Sequence, residues 1–151
     1  MAQRTDQRKP TRIDLECYQK CIKLTNHTLS VCKVKEKQTN NKHIVKRQLK
    51  LGQMLIDSVV EMGANIIQAN EMFVGANLNI NERIVNFQTR LRLQHEAISL
   101  SYRMEHIIRV LNDDRPFADS TLTYWVMLLV ETRNLLVEWK DSDKSRLSEL
   151  L

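Results

Sequence analysis

Apolar residues recur along most of this chain at alternating steps of three and four, the spacing of one face of an α-helix. The first stripe starts at Ile13 and reads Cys17, Cys21, Leu24, Thr28 and Val31, with Tyr18, Ile22 and Leu29 widening it. The polar stretch 36–42 interrupts the pattern, and Asn40 or Asn41 can cap the helix that follows. A second helix is predicted from about Lys42 to Phe73, and it carries two apolar rows. The row Val45, Leu49, Gly52, Ile56, Val59, Gly63 and Ile66 is expected to face the core. The row Ile44, Leu51, Leu55, Met62 and Ile67 needs a further neighbour, either a flanking helix or another subunit. Glycine in a helix interior costs about 1 kcal/mol relative to alanine. Close backbone approach at Gly52 and Gly63 would offset that cost, and a local kink is the simpler alternative.

Gly75 is placed to end the second helix with a positive φ, and the stretch 77–81 reads as a turn. Asn79 and Glu82 have capping-box spacing at the start of a third helix. That helix carries Ile84, Phe87, Leu91, Ile98 and Tyr102, with Leu93, Ala97, Leu100, Met104, Ile107 and Leu111 beside them. Pro116 cannot continue a helix interior, so the stretch 112–118 should break it. Asp119 or Ser120 then caps a fourth helix through Leu122, Trp125, Val126, Leu129, Leu136 and Trp139. Four amphipathic helices with short connections predict an all-α, antiparallel up-down-up-down four-helix bundle. A long three-helix coiled coil would need strict heptads, which the central helices lack. Residues 1–11 read as a flexible basic arm, 12–140 as the bundle, and 141–151 as a polar tail that frays.

Composition supports the helical reading. Three Gly and two Pro in 151 residues are too few for a β-sandwich or a Gly-rich nucleotide fold. The N-terminus has no apolar stretch of the secretory type, and no apolar run approaches the 18 or more residues of a membrane span. Cys17, Cys21 and Cys32 cannot all pair within one chain, and their place on one helix favours reduced thiols. The expected compartment is the cytoplasm.

Catalytic signatures are missing: there is no phosphate loop, Gly-x-Ser-x-Gly or His-Glu-x-x-His. His95-Glu96 and Glu105-His106 lack the Glu-x-x-His spacing of di-iron bundles. Cys17 and Cys21 lie one turn apart and would suit zinc, but His27 leaves their stripe and Cys32 lies about 16 Å further along. They read better as small core hydrophobes. Asp113-Asp114 beside Arg115 reads as a solvated loop cluster, and Trp125 and Trp139 as core or interface residues. The expectation is a protein without catalysis, metal or cofactor.

Charge changes the picture more than chemistry does. The net charge of +5 is uneven: residues 1–50 hold thirteen Lys/Arg against four Asp/Glu, whereas residues 51–151 hold ten against fourteen. The excess gathers around the first connection. Lys33, Lys35 and Lys37 end the first helix, and Lys42, Lys46 and Lys50 follow at i, i+4 and i+8, with Arg47 beside them. Like charges at i, i+4 repel, and Asp57 is the one carboxylate expected to answer them. Phosphates would neutralise the row, with release of counterions; a solvated lysine face, favoured by the first helix's dipole, is the competing reading. Arg83, Arg90 and Arg92 on the third helix would extend the surface, with contacts to backbone and shape rather than to base edges.

The run Arg47-Gln-Leu-Lys-Leu-Gly52 followed by Leu55 to Ala69 resembles the second helix of the accessory variability determinant proteins of diversity-generating retroelements. Arg90-Leu-Arg-Leu, the run Ala97 to Leu111, and Val130 to Trp139 resemble that family's third helix and its Trp-ended fourth, so the likeness spans about residues 13–140. The resemblance implies a basic four-helix bundle that assembles as a homopentamer. It implies binding to a reverse transcriptase, RNA template and cDNA, in support of template-primed cDNA synthesis and mutagenic retrohoming. On that reading Lys33, Lys35, Lys37, Lys42, Lys46, Arg47 and Lys50 contact phosphates. Arg90 and Arg92 contact nucleic acid or an acidic face of the polymerase, and Ile44, Leu51, Leu55 and Met62 form the subunit interface. Glu138 stands where the family often has glycine, and Arg133-Asn134 where it has small residues. These departures keep a sister group in play, the bundles encoded in intervening sequences of 23S ribosomal RNA genes, as a protein-interaction module that does not bind nucleic acid.

Overall fold

The computed structural model describes residues 15–37 and 42–151, with side chains over 15–33 and 46–151. The arm, Ile13 and the cap at Asn40 or Asn41 lie outside the described residues. Four helices follow in order: α1 (Glu16–Lys37), α2 (Lys42–Glu71), α3 (Ile80–Asp114) and α4 (Asp119–Leu150). Helix α1 packs on α2 and α4, and α3 packs on the same two, so the bundle closes as a square. Cross-helix bonds run in opposite chain directions. Lys20 meets Glu131 while His27 Nε2 meets the Thr121 carbonyl; Arg47 meets Asp114 while Arg90 meets the Met72 carbonyl. The architecture is the expected antiparallel four-helix bundle.

Helix α1 follows its sequence pattern. Cys17, Cys21, Leu24, Thr28 and Val31 are all buried. Thr28 is the one polar member, and it is fully satisfied. Its hydroxyl donates to the Leu24 carbonyl at 2.7 Å and accepts from Trp125 Nε1 at 2.9 Å. Trp125 is wholly buried, with Phe117 edge-on at 5.4 Å. Truncating a buried tryptophan to alanine typically costs about 3–5 kcal/mol, so this contact is one of the main ties between α1 and α4.

Helix α2 departs from the expected division into rows. Its buried line is Leu55, Val59, Met62, Ile66 and Ala69, drawn from both rows, while Leu49 is 42% exposed. The reason is that α2 lies between α1 and α3, so its buried arc is wider than one row. Gly52 and Gly63 face the sulfurs of Cys32 and Cys21. A methyl added at either would sit 3.6 Å from sulfur, an ordinary contact, so neither glycine marks an unusually close backbone approach. Gly75 has no positive φ, contrary to expectation, and α2 ends earlier, at Glu71. A Cβ at 75 would meet the Phe73 ring, so a larger residue there would have to displace that half-buried side chain.

In α3 the buried line is the flanking row. Ala97, Leu100, Met104, Ile107, Ile108 and Leu111 join Phe87, whereas Tyr102 is exposed. Polar Arg90, Gln94 and Ser101 share that buried line, which hides it from a hydrophobicity pattern. Asn79 caps α3 as expected, its Oδ1 accepting from the Glu82 amide at 2.8 Å. At α4 the cap differs. Asp119 is already helical, and Ala118 takes the N-cap position without a side-chain bond.

The largest difference is at the end of the chain. Helix α4 does not fray after Trp139 but continues to Leu150, because Asp143 is drawn into the bundle. Arg90 grips that carboxylate with two bonds, Nε to Oδ2 at 2.8 Å and a terminal nitrogen to Oδ1 at 3.0 Å. Gln94 Nε2 adds a third at 2.7 Å. Arg90 also donates to the Met72 carbonyl and lies over the Trp139 ring. The polar tail of the sequence is therefore part of the bundle.

Candidate nucleic-acid interface

The antiparallel order brings four helix termini together at one end of the bundle: the C-termini of α1 and α3 and the N-termini of α2 and α4. The basic cluster belongs to this end. Lys33 on α1 and Lys46, Arg47 and Lys50 on α2 are exposed. Lys35, Lys37 and Lys42 stand on the same two helices, and their side chains lie outside the described residues. Positions 42, 46 and 50 span about 12 Å of helix. Among the described residues, Lys33, Lys46 and Lys50 make no ion pair or side-chain hydrogen bond. Arg47 differs, because its guanidinium meets Asp114 of α3 at 2.6 Å. Asp114 is unfavourably placed at a helix C-terminus, where the dipole repels a carboxylate, and Arg47 neutralises it. The expected partner Asp57 instead accepts from Gln53 at 2.8 Å.

The arginines of α3 divide. Arg90 is 7% exposed and committed to Asp143, so it cannot contact nucleic acid or the polymerase, and its assignment to the binding surface is corrected. Its sequence neighbourhood gave no warning, because the partner lies fifty-three residues away. Arg92 is exposed and pairs with Glu96 one turn on at 3.1 Å. It lies twenty-two residues before Asp114, about 33 Å along α3. Arg92 is therefore near the opposite end from the lysine row. Arg83 is at that opposite end too, where its Nε donates to the Val74 carbonyl.

The expected interface row is also corrected. Leu55 and Met62 are wholly buried within the chain's own core, and Leu51 packs against it. Ile44 lies outside the described side chains. The apolar residues that do reach the surface on this side are Ile22 and Leu29 of α1 and Leu49 and Val60 of α2, between 38% and 55% exposed. Ile22, Leu29 and Leu49 were read as core or as flanking positions and Val60 as neither, because periodicity locates a helix face but not how wide an arc neighbours cover.

Cys17 and Cys21 are buried, and burial pushes their thiols up, to about 12 and about 11. The charge of neighbouring Cys21 raises Cys17 further. Burial likewise lifts Cys32 to about 11. All three are neutral near pH 7, the opposite of the thiolate that attacks an electrophile. Among the described residues no three His, Cys, Asp or Glu side chains gather closely enough to hold a metal ion.

One concave feature adjoins the lysines. A cavity of about 290 Å³ opens between α1 and α2 at the basic end. Cys32 and Lys33 line one side and Gln48, Gly52 and Ile56 the other, with Phe117 below. Sequence reasoning missed it; Gln48 sits between two lysines and carries no periodic signal. No described helix is long and apolar enough to cross a membrane. Comparison with protein-family models, curated proteins and solved structures finds no match to the chain.

Proposed function

We propose that this chain is a non-catalytic accessory protein that binds nucleic acid through the basic end of its bundle. The observation that carries the reading is the state of the lysines: among the described residues Lys33, Lys46 and Lys50 stand exposed at one end of the bundle without an ion pair, while Arg47, Arg90, Arg92 and Arg133 are ion-paired. Clustered cations without counter-charges raise the local potential, and phosphates lower it with release of counterions. Lysines contact phosphates rather than base edges, so backbone contacts would dominate.

The partner follows from the family resemblance: a reverse transcriptase whose template-primed cDNA synthesis and mutagenic retrohoming this protein supports within a diversity-generating retroelement. The outward apolar residues Ile22, Leu29, Leu49 and Val60 suit assembly into an oligomer, a pentamer on that resemblance, in place of the buried Leu55 and Met62.

The test is the salt dependence of binding to a structured RNA. Replacing Lys42, Lys46 and Lys50 together by alanine should reduce the slope of log affinity against log salt by about 2 to 3. An unchanged slope overturns the assignment of these residues. Wild-type protein that shows no RNA affinity at moderate salt leaves the interaction module without nucleic acid as the better reading.

A further inference from the structure

The cavity beside the lysine row contains an unsolved polar problem. Gln48 is 7% exposed, and among the described residues neither its amide oxygen nor its amide nitrogen has a hydrogen-bond partner. A buried polar side chain is normally satisfied, and an orphan calls for an explanation. Gln48 lines a cavity of about 290 Å³ whose other walls are mainly apolar. Ligand pockets run from roughly 300 to 1,000 Å³. This one is therefore at the small end, the size for a single ring system rather than an extended molecule.

The amide limits which ring system fits. A glutamine side chain presents a donor and an acceptor side by side in one plane, and its complement shows an acceptor beside a donor. The Watson–Crick edge of every base carries such a pair, and adenine carries it on its N6/N7 edge as well, the edge that glutamine commonly reads with paired bonds. The surroundings agree with an unstacked base. Ile56 and Gly52 offer apolar wall, Phe117 supplies aromatic carbon, and Lys33 lines the same cavity. Lys46 and Lys50 flank Gln48 in sequence and are exposed. A strand whose phosphates follow these lysines would have a base within reach of the opening. Single-stranded RNA is commonly recognised in this way, with a splayed base held on its edge and against apolar or aromatic side chains.

We propose that the α1–α2 cavity is a base pocket that takes one unpaired adenine and pairs its edge with the Gln48 amide. The pocket rests on the nucleic-acid reading for its biological use but not for its chemistry, so the two are separable by experiment. Adenosine carries no phosphate and reports on the pocket alone. Titrated into the full chain and followed by NMR, it should shift amides of α1 and α2 in a saturable manner. Gln48→Leu, which keeps the volume and removes the amide, should weaken adenosine about tenfold or more. Its thermal melt should equal or exceed that of the wild type, since an unpartnered buried amide is lost. Gln48→Glu keeps size and polarity but lacks the donor, and should weaken adenosine as well.

Oligoadenylate and the same backbone with abasic sites complete the test. The wild type should prefer the former and Gln48→Leu should not discriminate. Absence of adenosine binding, or equal binding by folded wild type and Gln48→Leu, overturns the pocket even if RNA still binds with a steep salt slope. Adenosine binding that depends on Gln48 in a protein with no affinity for either oligomer upholds the pocket and removes the nucleic-acid reading.

Discussion

The two ends of the bundle use positive charge in opposite ways. At one end Arg90 is buried, held by Asp143 with two bonds, and covered by Trp139. At the other, Lys33, Lys46 and Lys50 are exposed without a partner among the described residues. The first arrangement ties α3, α4 and the end of α2 together, since Arg90 also holds the Met72 carbonyl. The second ties nothing together, and its neighbouring ammonium groups repel one another. A residue count treats these cations alike, yet only the second set is available to an outside ligand.

The comparison is broken most directly at Asp143. Removing one member of a buried ion pair strands the other and typically costs about 3–5 kcal/mol. Asp143→Ala should therefore destabilise the fold by that amount, with a melting temperature lower by about 10 °C or more. It should also release the last two turns of α4, visible as lost helical signal. Lys50→Ala at the opposite end should stay within about 0.5 kcal/mol of the wild type. If the two variants melt together, the contrast between the ends is wrong.

Alkaline pH offers a milder probe of the same axis, because Cys17 lies towards the Arg90 end and Cys32 towards the lysine end. Burial lifts Cys17 to about 12, from an ordinary value of 9.0, and Cys32 to about 11. Above pH 9 the unfolded chain loses these protons while the folded chain keeps them. The folded state then binds more protons, so the thiols' contribution to stability is constant below pH 9 and falls as pH rises towards the folded values. Each thiol contributes up to about 1.4 kcal/mol per pH unit over that window. Cys17→Ala should thus flatten the alkaline fall over about three units, and Cys32→Ala over about two. Chemical denaturation between pH 8 and 12 compares them; an equal fall in wild type and Cys17→Ala would contradict the burial of that thiol.

Much of the fold was legible because helices announce themselves by period. The stripe Cys17, Cys21, Leu24, Thr28, Val31 is buried as read, and the Asn79 cap is formed. What sequence hides is pairing across the bundle. Arg90, Gln94 and Asp143 look like surface residues in any window, and only the meeting of α3 with α4 makes them a buried set. The same blindness placed Leu55 and Met62 outside and Leu49 inside, since the arc that α1 and α3 cover on α2 is a property of the assembly. The basic cluster was legible as a charge count. Its division into lysines without a partner among the described residues and a paired Arg47 was not, because Asp114 arrives from sixty-seven residues away.

That division yields the smallest and sharpest test. Arg47 and Asp114 form an exposed pair, with side chains 59% and 27% accessible. Exposed pairs contribute about 0–1 kcal/mol, so Arg47→Ala should lower stability by less than about 1 kcal/mol, and by less still in high salt. Its effect on nucleic-acid binding should be smaller than its full charge suggests. A lysine without a partner gives its whole charge to a phosphate, and its loss should lower the salt slope by about 0.7 to 0.9. Arg47 must leave Asp114 to make the same contact, and the stranded carboxylate would then repel the phosphate. Removing Arg47 should accordingly change the slope less than removing Lys46, its neighbour in the chain. Equal changes for Arg47→Ala and Lys46→Ala would mean that the Asp114 pair opens at no cost when nucleic acid arrives. The positive potential of this end would then depend on the number of its cations and not on which of them are free.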